Sequence, residues 1–285
     1  MLNKAAQEIR EIINNYQTNN NLSFIESSHT YYIKNNNGEI ISNMPSVSDV
    51  IKLFYKPFEP KTTKAFKACG GDKLKEQALL KEWADKGDYA SNMGSRVHFL
   101  LEQYLINMYG NYKEIRQPIY TCDKEQIKNG DKMIKAGKDF IDIMHQRGAV
   151  LLDTEIVLGD IKLGYFGQPD KVWLMFNKQK RLGLIVTDWK TNQPKNFQVH
   201  GYTKQMKPPF QHYHDTALTH YYIQLPLYAK LLLEMLKGTK YENIDLFGGV
   251  VVLLKNNGIF EEFRVPREIS NTIINLNIKQ LYENN

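Results

Sequence analysis

Only two of the 285 residues are cysteine, Cys69 and Cys122, and no Cys-x-x-Cys spacing occurs. That excludes a disulfide framework and a four-cysteine iron–sulfur cluster, and leaves buried free thiols as the expectation. Long apolar runs are missing as well. None approaches the roughly 20 residues of a membrane-spanning helix, so no membrane partner is expected. The opening MLNKAAQEIREIINNYQ lacks the basic-then-apolar layout of a secretory signal and is too acidic for a mitochondrial transit peptide. A cytoplasmic protein is the expectation. No internal repeat and no linker-like stretch interrupts the chain. Charge of one sign is only mildly in excess: 37 Lys and Arg against 31 Asp and Glu give +6. If carboxylates gather at one point, the remaining surface is more basic than that total, which favours a phosphate-rich partner.

A hydrophobic fraction of 42% beside 24% charged residues is that of an ordinary globular protein, long enough for one large domain or a core with an appendage. The most informative stretch is 164–191, GYFGQPDKVWLMFNKQKRLGLIVTDWKT. Val172, Leu174 and Phe176 alternate, residues 177–181 are a polar break, and Leu184, Ile185 and Val186 run on without interruption. This predicts two strands joined by a turn. Asp170 enters the first strand. Asp188 and Lys190 end the second on one face, with Trp189 between them. Two carboxylates and an ammonium at a strand end cost free energy unless something compensates them. A hard divalent cation does so: the carboxylates hold it, and Lys190 faces a water or a phosphate. A surface hairpin with exposed ion pairs is the other reading of the same residues.

Upstream, Ala6, Ile9, Ile13 and Tyr16 fall at helical spacing and predict a helix over 2–17. SFIESSHTYYIK, NNNG and EIIS predict a β-hairpin with an Asn-Gly turn, and MPSVSDVIKLF a short serine-capped helix. Lys56, Lys61, Lys64, Lys67, Lys73, Lys75 and Lys81, with Phe58 and Phe66 interleaved, read either as a solvated helix face or as a grip on a DNA backbone. Gly94 and Ser95 predict a helix start, with Ser95 as N-cap. Val97, Leu101 and Leu105 lie on its apolar stripe, while His98 and Glu102, four apart, share an adjoining face. These two read as a surface pair or, beside strand-end carboxylates, as a metal ligand and the group that orients it. A polar helix over 123–147 ends at Gly148. VLLDTEIVLGDIKLGYF predicts two strands around Gly159–Asp160, with Glu155 inside the first, either as an ordinary outward-facing acid or near the metal.

Residues 192–216 are long and irregular, and they mix Lys195, Lys204 and Lys207 with Phe197, Tyr202, Phe210 and Tyr213. Such interleaving suits single-stranded nucleic acid, where phosphates meet lysines and bases stack on rings. His200, His212, His214 and His220 have no standard zinc spacing. A helix over 217–237, capped by Asp215 or Thr216, carries Gln224 and Tyr228 on one face, with Pro226 expected to kink it near Tyr222. A hairpin and a helix after Pro266 complete the chain.

Four of these stretches together resemble the PD-(D/E)XK nuclease superfamily, in its RecB-like, phage and mitochondrial-type exonuclease subgroup. GQPD (167–170) and TDWKT (187–191) are similar to its two strand motifs. GSRVHFLLE (94–102) is similar to the helix that supplies a histidine, and QLPLY (224–228) to its Gln-x-x-x-Tyr motif. The early hairpin and Pro45-Ser46-Val47 resemble the subgroup's amino-terminal region, with Ser48 where threonine is usual. The resemblance implies an α/β fold: a restriction-endonuclease-like core over 91–285, with a mixed central sheet flanked by helices, and an amino-terminal helical and hairpin accessory region over 1–90. It also implies Mg²⁺-dependent hydrolysis of DNA phosphodiesters, with Mn²⁺ substituting, acting as an exonuclease that leaves a 5′-phosphate and a 3′-hydroxyl. Asp170 and Asp188 would hold the metal, joined by His98 and the Trp189 carbonyl. Lys190 would orient or deprotonate the attacking water, Gln224 and Tyr228 would position the strand, and Glu102 and Glu155 would stand behind the ligands or at a second metal. The expected substrate is DNA with a single-stranded end, the expected partners are recombination or replication proteins, and the expected setting is a bacterial or phage-infected cell. Some relatives carry an iron–sulfur cluster, which two cysteines cannot supply. Two other readings stay open: a nucleic-acid-binding module with a vestigial site, and a structure- or sequence-specific endonuclease.

Overall fold

The apolar runs on either side of residues 177–181 become two of the strands of a five-stranded mixed sheet. The structure, a computed structural model, describes residues 1–35, 37–56, 68–110, 112–115, 117–201 and 203–284. The first half of the chain forms α1 (Leu2–Asn19), β1 (Ser23–Ile25), β2 (Thr30–Lys34), β3 (Ile40–Ile41), α2 (Val47–Lys52), α3 (Lys73–Met108) and α4 (Lys124–Gln146). Strands β4 (Val150–Thr154), β5 (Leu158–Asp160), β6 (Tyr165–Gly167), β7 (Lys171–Phe176) and β8 (Leu182–Lys190) follow. Then come α5 (Ala217–Met235), β9 (Asp245–Leu254), β10 (Phe260–Arg264), α6 (Arg267–Asn275) and α7 (Ile278–Glu283). The main sheet has the order β10-β9-β8-β7-β4. Its β8 and β9 run parallel, with α5 between them in sequence, while the other neighbouring pairs are antiparallel.

Both faces are covered, and that buries the two long central strands. On one face Val97 and Leu101 of α3 and Phe140 of α4 pack over Trp173 and Trp189. On the other, α1, α2, α5 and α6 close a larger core around Val172, Val186 and Val251. Ala6, Ile9 and Ile13 of α1 belong to that same core. Side-chain caps fix several helix starts: Ser46 and Asp49 form a capping box on α2, Asp123 and Gln126 another on α4, and Thr216 caps α5.

Several expectations change at the level of elements. The helix expected to begin at Gly94 begins instead at Lys73, with Asp72 as its cap, and Gly94 lies in its middle. A helical glycine costs about 1 kcal/mol relative to alanine, but here it permits close approach: a Cβ on Gly94 would come within 3.2 Å of Thr191 Oγ1 beyond β8. The division expected at residue 90 therefore falls inside one continuous helix. The hairpin expected across Asn37–Gly38 forms, with β2 and β3 paired antiparallel, but SFIESSHTYYIK is two strands and not one: β1 pairs with β2, the chain reversing through His29 at φ 50°. The turn expected at Gly159–Asp160 lies at 161–164, because Asp160 Oδ1 accepts the Leu163 N–H at 2.8 Å and its carbonyl accepts the Gly164 N–H at 2.8 Å. Helix α5 runs unbroken through Pro226. Cys69 and Cys122 are half-buried, not buried. Lys61, Lys64, Lys67, Phe58 and Phe66 lie outside the described residues.

Candidate metal centre

The site forms where β4, β7 and β8 reach the same end of the sheet. Asp170 stands one residue ahead of β7, and Thr154, the last residue of β4, pairs with Lys171. The Glu155 N–H then donates to the Asp170 carbonyl at 3.0 Å, which brings these two acids level. Glu155 is not a mid-strand residue: its φ of +42° is a left-handed conformation that a non-glycine residue adopts only under constraint. Across from it, the Trp189 backbone N–H donates to Asp170 Oδ2 at 2.7 Å, locking that carboxylate against β8.

Helix α3 supplies the third donor. His98 Nδ1 lies 3.4 Å from Asp170 Oδ2. His98, Glu155 and Asp170 each present one ligand atom, and the three atoms lie within 4.8 Å of one another. One imidazole and two carboxylates make a donor set that fits a divalent cation such as Mg²⁺ or Mn²⁺, with the nitrogen favouring Mn²⁺. Glu102 stands behind, accepting from the Thr154 hydroxyl at 2.9 Å and lying 3.6 Å from Lys113 Nζ. Asp188 falls outside the three-donor group. Buried and sharing a strand face with Lys190, it is ion-paired with that ammonium. Lys190 also lies over the Tyr221 ring, 4.2 Å from its centroid, and Tyr221 donates to Asn192 at 3.2 Å.

Burial and mutual repulsion set the charges here. Burial pushes Glu155 well above the usual carboxylate range, and Asp170 and Glu102 add to the effect. Asp188 is pushed up to about 7, by burial first and then by Asp170. Burial would raise Asp170 too, but His98, Lys171, Lys190 and the Trp189 N–H together outweigh it and bring the group down to about 2. Burial holds His98 down at about 4, against the opposing pull of Asp170. Lys190 is held above its ordinary value, because Asp188 and Asp170 overcome its burial. The acids thus share more negative charge than the lysines beside them neutralise, and two carboxyls rise toward the protonated form. That excess is what a bound dication removes.

On the other face of the sheet, Gln224 Nε2 donates to the Tyr228 hydroxyl at 2.7 Å. Tyr228 packs so closely on the GQPD segment that a Cβ on Gly167 would lie 2.6 Å from its ring. Tyr221, Gln224 and Tyr228 follow helical spacing, so α5 lays one polar-tipped face along the end of β8.

The segment after β8 is anchored by its aromatics. Phe210, expected to stack on bases, is instead a core residue, 1% exposed and edge-on to Phe54 with centroids 5.0 Å apart. It has no free face to offer. Phe197 is likewise buried against Phe263. Lys195, Lys204 and Lys207 are exposed, and Tyr202 lies outside the described residues. Lys171 was not among the expected site residues, yet its buried ammonium lies 3.8 Å from Asp170 and 4.2 Å from the centre of the Trp189 ring. Its only signal was its place directly after Asp170. Lys113, 3.2 Å from Asp153, gave none. The chain matches no family model and, at a significant level, no curated protein.

Proposed function

We propose that this chain is a PD-(D/E)XK nuclease, a divalent-cation-dependent hydrolase of DNA phosphodiesters on a restriction-endonuclease-like core. One observation carries the reading: His98, Glu155 and Asp170 bring their donor atoms within 4.8 Å beside the ion pair of the buried Asp188 with Lys190. Exposed ion pairs on a surface hairpin would leave these groups in water. Asp170, Lys171 and Asp188 are instead buried.

A bound Mg²⁺ or Mn²⁺ supplies Lewis acidity toward the phosphoryl group and acidifies a water. The residues do the rest. Asp170, fixed by the Trp189 N–H, and Glu155 offer oxygen donors, and His98 offers nitrogen. Lys190 serves as a cation, not as a base, since its neighbours hold it above its ordinary value. It orients the attacking water and offsets charge that grows on the phosphorane-like transition state. Gln224 and Tyr228, hydrogen-bonded to each other, border the path of the strand. Lys195, Lys204 and Lys207 extend that path along exposed surface. A DNA end that is single-stranded is the substrate this reading favours, with exonucleolytic release of 5′-phosphates.

The test is direct. End-labelled single- and double-stranded DNA, linear and circular, are incubated with Mg²⁺ or Mn²⁺ and with EDTA. Linear DNA should be shortened from its ends, circular DNA spared, and all of it left intact in EDTA. Cleavage of the circles would turn the proposal toward an endonuclease. No cleavage of any form with either metal would overturn it.

A further inference from the structure

The metal centre lies at the carboxy-terminal end of β8. At the opposite end, where β8 and β9 begin, the structure holds a cavity of about 640 Å³. Its origin is a bulge: Leu184 pairs with Leu246 but Ile185 pairs with Gly248, so Phe247 is left out of register. The Phe247 ring rests against Gly183, where a Cβ would come within 2.4 Å of it. Gly248 takes φ +131°, a conformation essentially confined to glycine, and a Cβ there would meet nothing within 4 Å. The sheet therefore opens instead of closing on itself.

Met144, Met175, Ile185 and Val250 give this opening apolar walls. Its rim carries three guanidinium groups. Arg147 is occupied by both carboxylate oxygens of Glu262, at 3.0 and 3.2 Å. Arg264 and Arg267 line the cavity yet form no ion pair with any described residue. Its volume falls in the roughly 300–1,000 Å³ range of ligand pockets, where apolar walls supply affinity and a few convergent polar groups fix orientation.

We propose that this cavity binds a small anionic amphiphile, an aryl or alkyl group bearing a carboxylate or sulfonate. The apolar body lies against Met144, Met175, Ile185 and Val250, and the anionic head meets Arg264 and Arg267, where a guanidinium gains most from an oxyanion. The site is independent of the nuclease reading, since it shares no residue with the metal centre.

Anilinonaphthalene sulfonate is titrated into the full chain and followed by fluorescence, with octanoate and octanol as competitors. One site per chain is expected. Octanoate should displace the dye at least tenfold more effectively than octanol, a difference of about 1.4 kcal/mol. The double variant Arg264→Ala/Arg267→Ala, altered only at exposed side chains, should bind the dye at least tenfold more weakly. Ile274→Trp, which fills the cavity from its rim, should abolish binding in a protein whose circular dichroism is unchanged. Equal competition by octanol would overturn the anionic head. Unchanged affinity in either variant, or saturation only at several sites per chain, would overturn the site.

Discussion

At the scale of single residues, protonation in the acidic cluster is governed first by burial, and only then by which partner each group has. Asp170 and Asp188 are both buried at strand ends, yet one is brought down to about 2 and the other pushed up to about 7. Asp170 owes the difference to His98, Lys171, Lys190 and a backbone N–H. This shapes the expectation for Lys190→Met. Stripping one partner from a buried ion pair costs about 3–5 kcal/mol when the remaining charge is fixed, but Asp188 can take up a proton, so a smaller loss in urea unfolding is expected. Cleavage, by contrast, should fall about 10²- to 10³-fold, the range for removing one preorganised charge from a transition state. A rate within a few-fold of wild type would remove Lys190 from the chemistry. His98→Ala tests the nitrogen donor: the Mg²⁺ and Mn²⁺ concentrations for half-maximal cleavage should rise, with excess Mn²⁺ restoring activity better than excess Mg²⁺. Superimposable titration curves would leave His98 as a helix-surface group. The strand-end Asp170, Asp188 and Lys190 were legible because polar residues interrupt an apolar pattern. Glu155 was harder, because its left-handed backbone turns it off the strand and no residue type announces that. Lys171 looked like one lysine among 37 Lys and Arg residues.

At the scale of elements, local chemistry was readable where a cap or a period is written into the chain, and unreadable where packing overrides it. Helix α4 begins at a reciprocal Asp123–Gln126 box and stops at Gly148, whose φ is +79°, so both ends have a signal. Helix α3 passes through Gly94, which looks like a helix start until the contact with Thr191 is seen. Phe210 has the look of a loop aromatic because the core it fills is built by Phe54, far away in sequence. The GQPD segment gives a test of such packing. Gly167→Ala would force its Cβ into Tyr228 and Val47, at 2.6 and 2.8 Å, and should destabilise by about 1–3 kcal/mol in urea unfolding. An unchanged midpoint would mean that α5 can slide away from the motif. The start of α5 gives another. His220 in its first turn donates through Nε2 to Asp215 Oδ1 at 2.7 Å and stacks on Tyr55 with ring centroids 4.0 Å apart. Burial holds it below its ordinary value, with Asp215 opposing. The unfolded chain, titrating near pH 6.5, then binds more protons than the folded one just below that pH. Its contribution is therefore complete above about pH 6.5 and fades as pH falls toward the folded value. Between pH 7.5 and 5.5, wild type should lose more melting temperature than His220→Asn. Equal losses would mean that His220 titrates alike in both states.

For the whole molecule, the proposed metal centre would tie together parts of the chain that are distant in sequence. His98 comes from α3, Glu155 from the end of β4, and Asp170 from the approach to β7, so a cation held by all three joins the helical layer to the sheet. The unfolded chain cannot assemble these donors, so binding must favour the folded state. At about 100 times its dissociation constant, a ligand that binds only the folded form adds about 2.7 kcal/mol, which corresponds to roughly 5–10 °C in melting temperature for a protein of this size. Mn²⁺ should therefore raise the melting temperature by several degrees, and Mg²⁺ should do so at higher concentration. Asp170→Asn should lose the shift, because it removes one donor and one of the charges that attract the ion. Arg264→Ala should keep it, since that residue lines the cavity at the other end of the sheet. Scanning calorimetry in EDTA, Mg²⁺ and Mn²⁺ separates these cases without reference to any substrate. A wild-type melting temperature that ignores both metals would mean that the three donors, close as they are, hold no ion. A shift that survives in Asp170→Asn would place the ion elsewhere on the acidic surface.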